Sequence, residues 1–474
     1  MADLDRNDKD REEKSLVDGK EVSRRDFLKI AGVAGAAVGL STGLGGLVAA
    51  CGGDEEETTT TVSAGAETGR EIKVGFVTPL TGGISLFGVP DKYCVERAQE
   101  YIGDGIVCGD GKKHPISIIT MDSQSDSSRA AQVAGDLISS SKVDIITAAS
   151  TPDTVNPVSD QAEALGTPCI TNDCPWQPYV ASRAQGDLTK VFKWTYHTFW
   201  GLEDVQANFL DMWKQVPNNS KVAATFPNDA DGVPWQAGWQ PVWEPNSLAV
   251  FDPGLFQSPA EDFTQQIALY KREGCEIGMG VFIPPDFTNF WKQAAQQGWR
   301  PKVGSYAKAL LFPGALEAIG DVGAGLTTEV WWTPAHPFTS AMLGETCQQF
   351  ADEYTSRGNG QWTQPLLHFI VFEMAIDTLT RATDLDDKEN ILAAIKSTKL
   401  QTIGGLIDFT APVEAPGPPF KIGPCHIVEN VYKTPLVGGQ WRKGTEYPFD
   451  LTIVTDAAAK GSGIPVQDKV QPLA

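Results

Sequence analysis

Arg24-Arg25 and Cys51 are the residues whose placement most directly prescribes chemistry. Ser23-Arg24-Arg25-Asp26-Phe27-Leu28-Lys29 fits the twin-arginine export signal at almost every position, and no charged residue occurs from Ile30 to Ala50. That stretch ends in Val48-Ala49-Ala50-Cys51, a lipobox, in which small residues admit a signal peptidase and the cysteine thiol takes the lipid. An uncleaved transmembrane anchor is the competing reading, since about 20 apolar residues span a bilayer. Six glycines leave this segment only mildly hydrophobic, which favours a cleaved signal over residues 1–50 and a lipid anchor through Cys51. Residues 51–70 are rich in Gly, Glu and Thr and are expected to form a disordered tether.

Catalytic spacing is missing from the rest. There is no G-x-S-x-G elbow, no H-E-x-x-H and no phosphate-binding glycine loop. His114, His197, His336, His368 and His426 are scattered without metal-ligand spacing, and each reads as structural. Asp122-Ser-Gln-Ser-Asp126 lacks the glycine and terminal glutamate of a calcium loop, and Asp386-Asp387 reads as helix-capping charge. No metal, no cofactor and no enzymatic activity are expected, and an extracellular hydrolase with spatially assembled residues is the weaker alternative. A net charge of −22 argues against a nucleic-acid partner, because phosphate binding needs clustered Lys and Arg. Cys94, Cys108, Cys169, Cys174, Cys275, Cys347 and Cys425 allow disulfides outside the cytoplasm. Twin-arginine cargo folds before export in a reducing compartment, so free buried thiols stand equally open.

What remains are polar groups at the ends of apolar runs. Roughly 400 residues follow the tether, enough for two ordinary domains. Ile72–Thr78, Ile116–Met121, Val143–Thr147 and Pro168–Ile170 have strand length and composition. Between them, Ala130, Val133, Ala134, Leu137 and Ile138 repeat at helical spacing. A second series has candidate strands at 222–226, 248–251, 277–283 and 302–306, with helical patterns at 205–213, 263–272 and 287–297. Alternation of this kind predicts an α/β fold with parallel sheets, whose ligands sit at the carboxyl ends of strands. The loops at those ends supply Phe87, Ser150, Thr151, Asn172, Asp173, Cys174, Trp176, Asp229, Trp235, Pro285, Asp286 and Tyr306 as candidate ligand-binding residues. They carry hydroxyls, turn amides, acids and aromatics, as a small polar ligand requires.

Several stretches carry a family likeness in order. Ile72-Lys-Val-Gly-Phe-Val-Thr-Pro-Leu-Thr-Gly82, Asp122 to Ala131, Leu137 to Ile146, Ser150-Thr151 with Pro157 and Thr167-Pro168, and Phe290 to Gly298 resemble the branched-chain amino-acid-binding family of type I periplasmic binding proteins. The likeness covers most of residues 71–400. It implies two lobes, each a mainly parallel sheet flanked by helices, joined by three crossovers near residues 198, 335 and 403. Lobe one would comprise 71–198 plus 336–402, and lobe two 199–335 plus 403–474. It also implies a monomeric, extracytoplasmic substrate-binding subunit that hands a small molecule to an ABC permease; a ligand sensor of the same fold is the alternative. By that resemblance Ser150, Thr151 and the Asn172 to Cys174 loop hold a carboxylate, while Asp229 and Asp286 meet an ammonium or hydroxyl. Thirteen tryptophans depart from the family pattern. Any single tryptophan reads as core or hinge packing, but Trp176 and Trp235, in loops of opposite lobes, could sandwich a ring. As a group the tryptophans point to an aromatic or hydrophobic acid, with an amino acid as the alternative.

Overall fold

The computed structural model describes residues 66–411 and 429–473; Arg24, Arg25, Cys51, Cys425 and His426 lie outside them. Two sheets organise the chain, and each is set by short apolar runs. β1 (Ile72–Thr78), β2 (Ile116–Asp122), β3 (Ile145–Ala149), β4 (Cys169–Asn172) and β5 (Thr195–Thr198) pair in parallel in the order β5-β4-β3-β1-β2. Ile72 stands opposite Ile116 and Val74 opposite Ile145, so the β-branched runs stack in register. The helix Ser127–Ser139 buries all five positions picked out by its periodicity and is capped by Asp126, which accepts from the Arg129 amide.

The second sheet holds β6 (Lys221–Thr225), β7 (Ala249–Phe251), β8 (Ile277–Val281), β9 (Val303–Ala307) and β10 (Thr327–Val330), ordered β10-β9-β8-β6-β7 and all parallel. After β10 the chain returns to the first sheet, where the helix Phe369–Arg381 packs on β3 and β4. β11 (Val431–Tyr432) then extends that sheet beside β5. β12 (Val437–Lys443) and β13 (Phe449–Thr455) add antiparallel strands next to β10. In strand terms the last passage between the sheets therefore follows Tyr432 and not residue 403. The hairpin of Lys399–Thr402 with Gly405–Asp408 stays with the Phe369–Arg381 helix of the first half.

The amino-terminal boundary also moves. Glu67 to Arg70, expected to belong to the tether, are docked: the Lys113 amide donates to the Glu67 carbonyl, and Arg70 pairs with Asp144 and Asp386. Asp387 caps the helix Lys388–Lys396 as its charge suggested. All six described cysteines are free and buried, which leaves the thiol reading for these positions. Tryptophans mostly fill the core; Trp239, for example, stacks on Trp213 and Trp243.

Candidate ligand-binding site

The parallel strands of both sheets end around one cavity. From the first half come Phe87, Ser150, Thr151, Pro152, Asp173 and Pro175; Phe199 and Trp200 lie on the first crossover; Asp231, Trp235, Val281, Ala307, Lys308, Leu311, Glu329 and Trp331 come from the second half. Its room for water-sized groups is about 30 Å³. Phe87 meets Phe312 edge-on at 4.8 Å, and Lys308 Nζ lies 3.9 Å from Asp153 Oδ2, so contacts join the two halves around it.

Ser150 and Thr151 occupy the turn from β3 into the helix Pro152–Ala164. Thr151 is the N-cap residue with an extended backbone, yet its hydroxyl makes no capping bond. Both hydroxyls are buried without a protein partner. A helix amino terminus carries unsatisfied amides and partial positive charge, so these hydroxyls stand where an anionic oxygen is stabilised. The indole N–H groups of Trp200, Trp235 and Trp331, all lining the cavity, are likewise buried and unpartnered. Five unmet donors thus belong to residues that line the cavity, among aromatic and aliphatic neighbours.

Charge enters from the second half. Lys308 follows β9 with a left-handed φ of 67°, and its amide donates to Glu329 Oε1 at 2.7 Å. Its ammonium donates to Asp231 Oδ2 at 2.7 Å, while Asp231 Oδ1 has no partner. Burial pushes the Asp231 carboxyl up to about 6 despite Lys308, and the Glu329 carboxyl up to about 8. At the floor, His368 bridges Asp91 Oδ1 at 2.7 Å and Asp173 Oδ2 at 2.8 Å, and Thr78 donates to Asp91. Burial disfavours the imidazolium, but the two carboxylates outweigh it and hold His368 at about 9.

Of the sequence candidates, Phe87, Ser150, Thr151, Asp173 and Trp235 meet at this cavity. The others serve its walls or the core. Asn172 donates to Thr198, and the Cys174 carbonyl faces His197 Nε2. Trp176 donates to Glu203 at 3.1 Å, beside a cluster in which Lys433 also holds Glu203 and Asp204, so it cannot sandwich a ring with Trp235. Asp229 accepts from the Asp231 and Gly232 amides and shapes that loop. Asp286 is buried against Ser258 and the Ala260 amide, Pro285 is exposed, and Tyr306 turns into an aromatic cluster with Phe287 and Trp291. Lys308, Asp231 and Glu329 were not singled out. Lys308 lies two residues past Tyr306, and Asp231 sits inside the loop that supplied Asp229 and Trp235, so strand-end position was the available signal. Among the described residues no acidic, histidine or cysteine cluster has the makings of a metal site.

Two mainly parallel sheets ending on one cavity, with the chain passing between them three times, define the two-lobed binding-protein class of fold. The chain belongs to the periplasmic binding protein family, whose model matches residues 71–423, and residues 21–41 match the twin-arginine translocation signal sequence. Members of this family are the substrate-binding proteins of ABC transporters and not enzymes. The signal indicates export, and among the described residues no helix is long and apolar enough to cross a membrane. Solved structures share the fold. A leucine-binding protein from Thermotoga maritima is 17% identical at a TM-score of 0.65, over 81% of this chain and 99% of that one. A branched-chain amino acid transporter substrate-binding protein from Streptococcus pneumoniae, in complex with isoleucine, is 15% identical at 0.63, over 81% and 99%. A solute-binding protein from Rhodopseudomonas palustris, in complex with 3,4-dihydroxybenzoic acid, is 18% identical at 0.62, over 82% and 99%. No curated protein matches the sequence. The expected family and fold class are borne out.

Proposed function

We propose that this chain is a monomeric lipoprotein, anchored through Cys51, that captures a small acid with a ring or apolar body and delivers it to an ABC permease. One observation carries the reading: the unpartnered hydroxyls of Ser150 and Thr151 and three unpartnered indole N–H groups all belong to residues lining one cavity, together with Phe87, Phe199 and Leu311. Buried donors cost free energy when unmet, so a ligand supplying oxygen acceptors gains from each. A cavity of about 30 Å³ is too small for such an acid, so entry requires the lobes to part at the crossovers and close again. An amino acid is the second reading, favoured by the unpartnered acceptor Asp231 Oδ1. Relatives of the fold are seen with isoleucine and with 3,4-dihydroxybenzoic acid, which spans both readings.

Calorimetry across benzoates, phenyl-substituted acids, aliphatic amino acids and urea tests this. Ser150→Ala should weaken the best acid roughly tenfold or more, since a charge-assisted hydrogen bond contributes about 1.5–3 kcal/mol. Preference for urea, with Ser150→Ala and Trp235→Ala both silent, would overturn the assignment. The anchor is tested separately. Replacing Arg24 and Arg25 with lysine should hold precursor in the cytoplasm, and Cys51→Ala should move the exported protein to the soluble fraction. Membrane retention of Cys51→Ala would instead favour an uncleaved anchor.

A further inference from the structure

Building on the acid-capture reading, we infer that Lys308 and Asp231 form a second ligand subsite that selects a hydroxyl over an ammonium group, making the ligand a hydroxylated acid and not a free amino acid. Both side chains are buried and line the cavity. A lysine ammonium has three protons to donate. Asp231 Oδ2 takes one at 2.7 Å, and Asp153 Oδ2, at 3.9 Å, is beyond hydrogen-bond reach. Asp231 Oδ1 has no protein donor. A donor and an acceptor with capacity to spare therefore lie side by side across one ion pair.

A hydroxyl matches that arrangement, because it accepts from Lys308 Nζ and donates to Asp231 Oδ1 with the same oxygen. An ammonium has no acceptor. Placed on Oδ1 it leaves the lysine proton unmet and sits beside a like charge in a desolvated setting, where charge–charge energies are largest. Asp229 and Asp153 also face Lys308, but from partly exposed positions where solvent weakens their field, so the contact pair decides. A hydrogen in the same place meets neither group. Lys308 cannot easily turn aside. Its left-handed backbone is fixed by the bond to Glu329 Oε1, and Thr328 Oγ1 holds Glu329 Oε2 at 2.9 Å. A non-glycine residue in that conformation persists where its surroundings over-determine it, commonly at binding sites.

Matched ligands test the inference by calorimetry. One trio is 3-phenyllactate, 3-phenylpropanoate and phenylalanine; the other is 4-hydroxybenzoate, benzoate and 4-(aminomethyl)benzoate. In the trio that binds, the hydroxyl member should exceed the ammonium member at least tenfold, and Lys308→Met should narrow or reverse that ratio. Lys308→Met leaves a buried carboxylate unpaired, so the double variant Lys308→Met/Asp231→Asn is measured beside it, with melting curves for both. The double variant should bind the hydroxyl and unsubstituted members alike. An ammonium member that binds wild type equally or better, or a double variant that keeps the hydroxyl preference, overturns the subsite and leaves acid capture standing. Absence of binding by every acid in both trios overturns acid capture and the subsite together.

Discussion

Replacing His368 with leucine should cost about 3–5 kcal/mol of folding stability, among the largest effects of any single substitution in this chain. The ring is fully buried and holds two carboxylates, Asp91 from the start of the helix Asp91–Ile102 and Asp173 from the turn after β4. Leucine fills a similar volume but offers neither proton, so two buried acids face each other with no cation between them. Asp91 keeps its bond from Thr78, whereas Asp173 loses the imidazole hydrogen bond that opposes the effect of its burial. Adding Asp173→Asn to His368→Leu should therefore recover part of the loss, because it removes one of the stranded charges. Urea unfolding of the two variants at pH 8, above the Asp173 value and below that of His368, reads this directly. A His368→Leu protein within 1 kcal/mol of wild type would mean that the bridge does not hold the cavity floor. The consequence reaches the ligand as well, since Asp173 lines the cavity and Trp331 stacks beside the His368 ring.

The elements written in apolar, β-branched runs were legible in the sequence. β1, β2 and the helix Ser127–Ser139 fall where periodicity put them, because burial on one face or both leaves little freedom in composition. Two buried strands were not legible. β5 reads Thr-Tyr-His-Thr and β10 reads Thr-Thr-Glu-Val, patterns that look solvent-exposed. Their polar groups are satisfied internally: His197 lies between Thr171 Oγ1 and the Cys174 carbonyl, and Thr327 Oγ1 pairs with Ser305 Oγ. The helix Gly232–Trp243 was hidden by its two prolines and two glycines, although Trp235, Trp239 and Trp243 recur every four residues along one buried stripe. At the site, Ser150, Thr151 and Trp235 were visible because strand-end position suffices to nominate them. Lys308 and Asp231 lie 77 residues apart, and their ion pair exists only once the second sheet has formed.

Stability should also fall steeply as pH rises from 6.5 to 9. Burial holds the Glu329 and Glu373 carboxyls up at about 8 and the Asp173 carboxyl at about 7, against ordinary values of 4.5 and 3.8. His368 is held up at about 9 against 6.5. In each case the folded chain keeps a proton that the unfolded chain has released, so the stability each group contributes is present at low pH and is lost as pH climbs through its folded value. His197 and His336 have the opposite sign. Burial holds both down at about 3, so they penalise acid and fall silent once pH exceeds 6.5. Lys308 is raised but charged in both states across this window, and contributes no slope there. Between pH 6.5 and 9 the remaining terms all act in one direction. One extra bound proton corresponds to about 1.4 kcal/mol per pH unit, so the loss should reach at least ~3 kcal/mol. Thermal unfolding at fixed ionic strength measures it, and Glu329→Gln with Glu373→Gln should flatten the profile because glutamine has no proton to lose. A melting temperature that stays level or rises from pH 6.5 to 9 would show that these buried acids are ionised in the folded protein, and that the cavity is far better hydrated than its geometry implies.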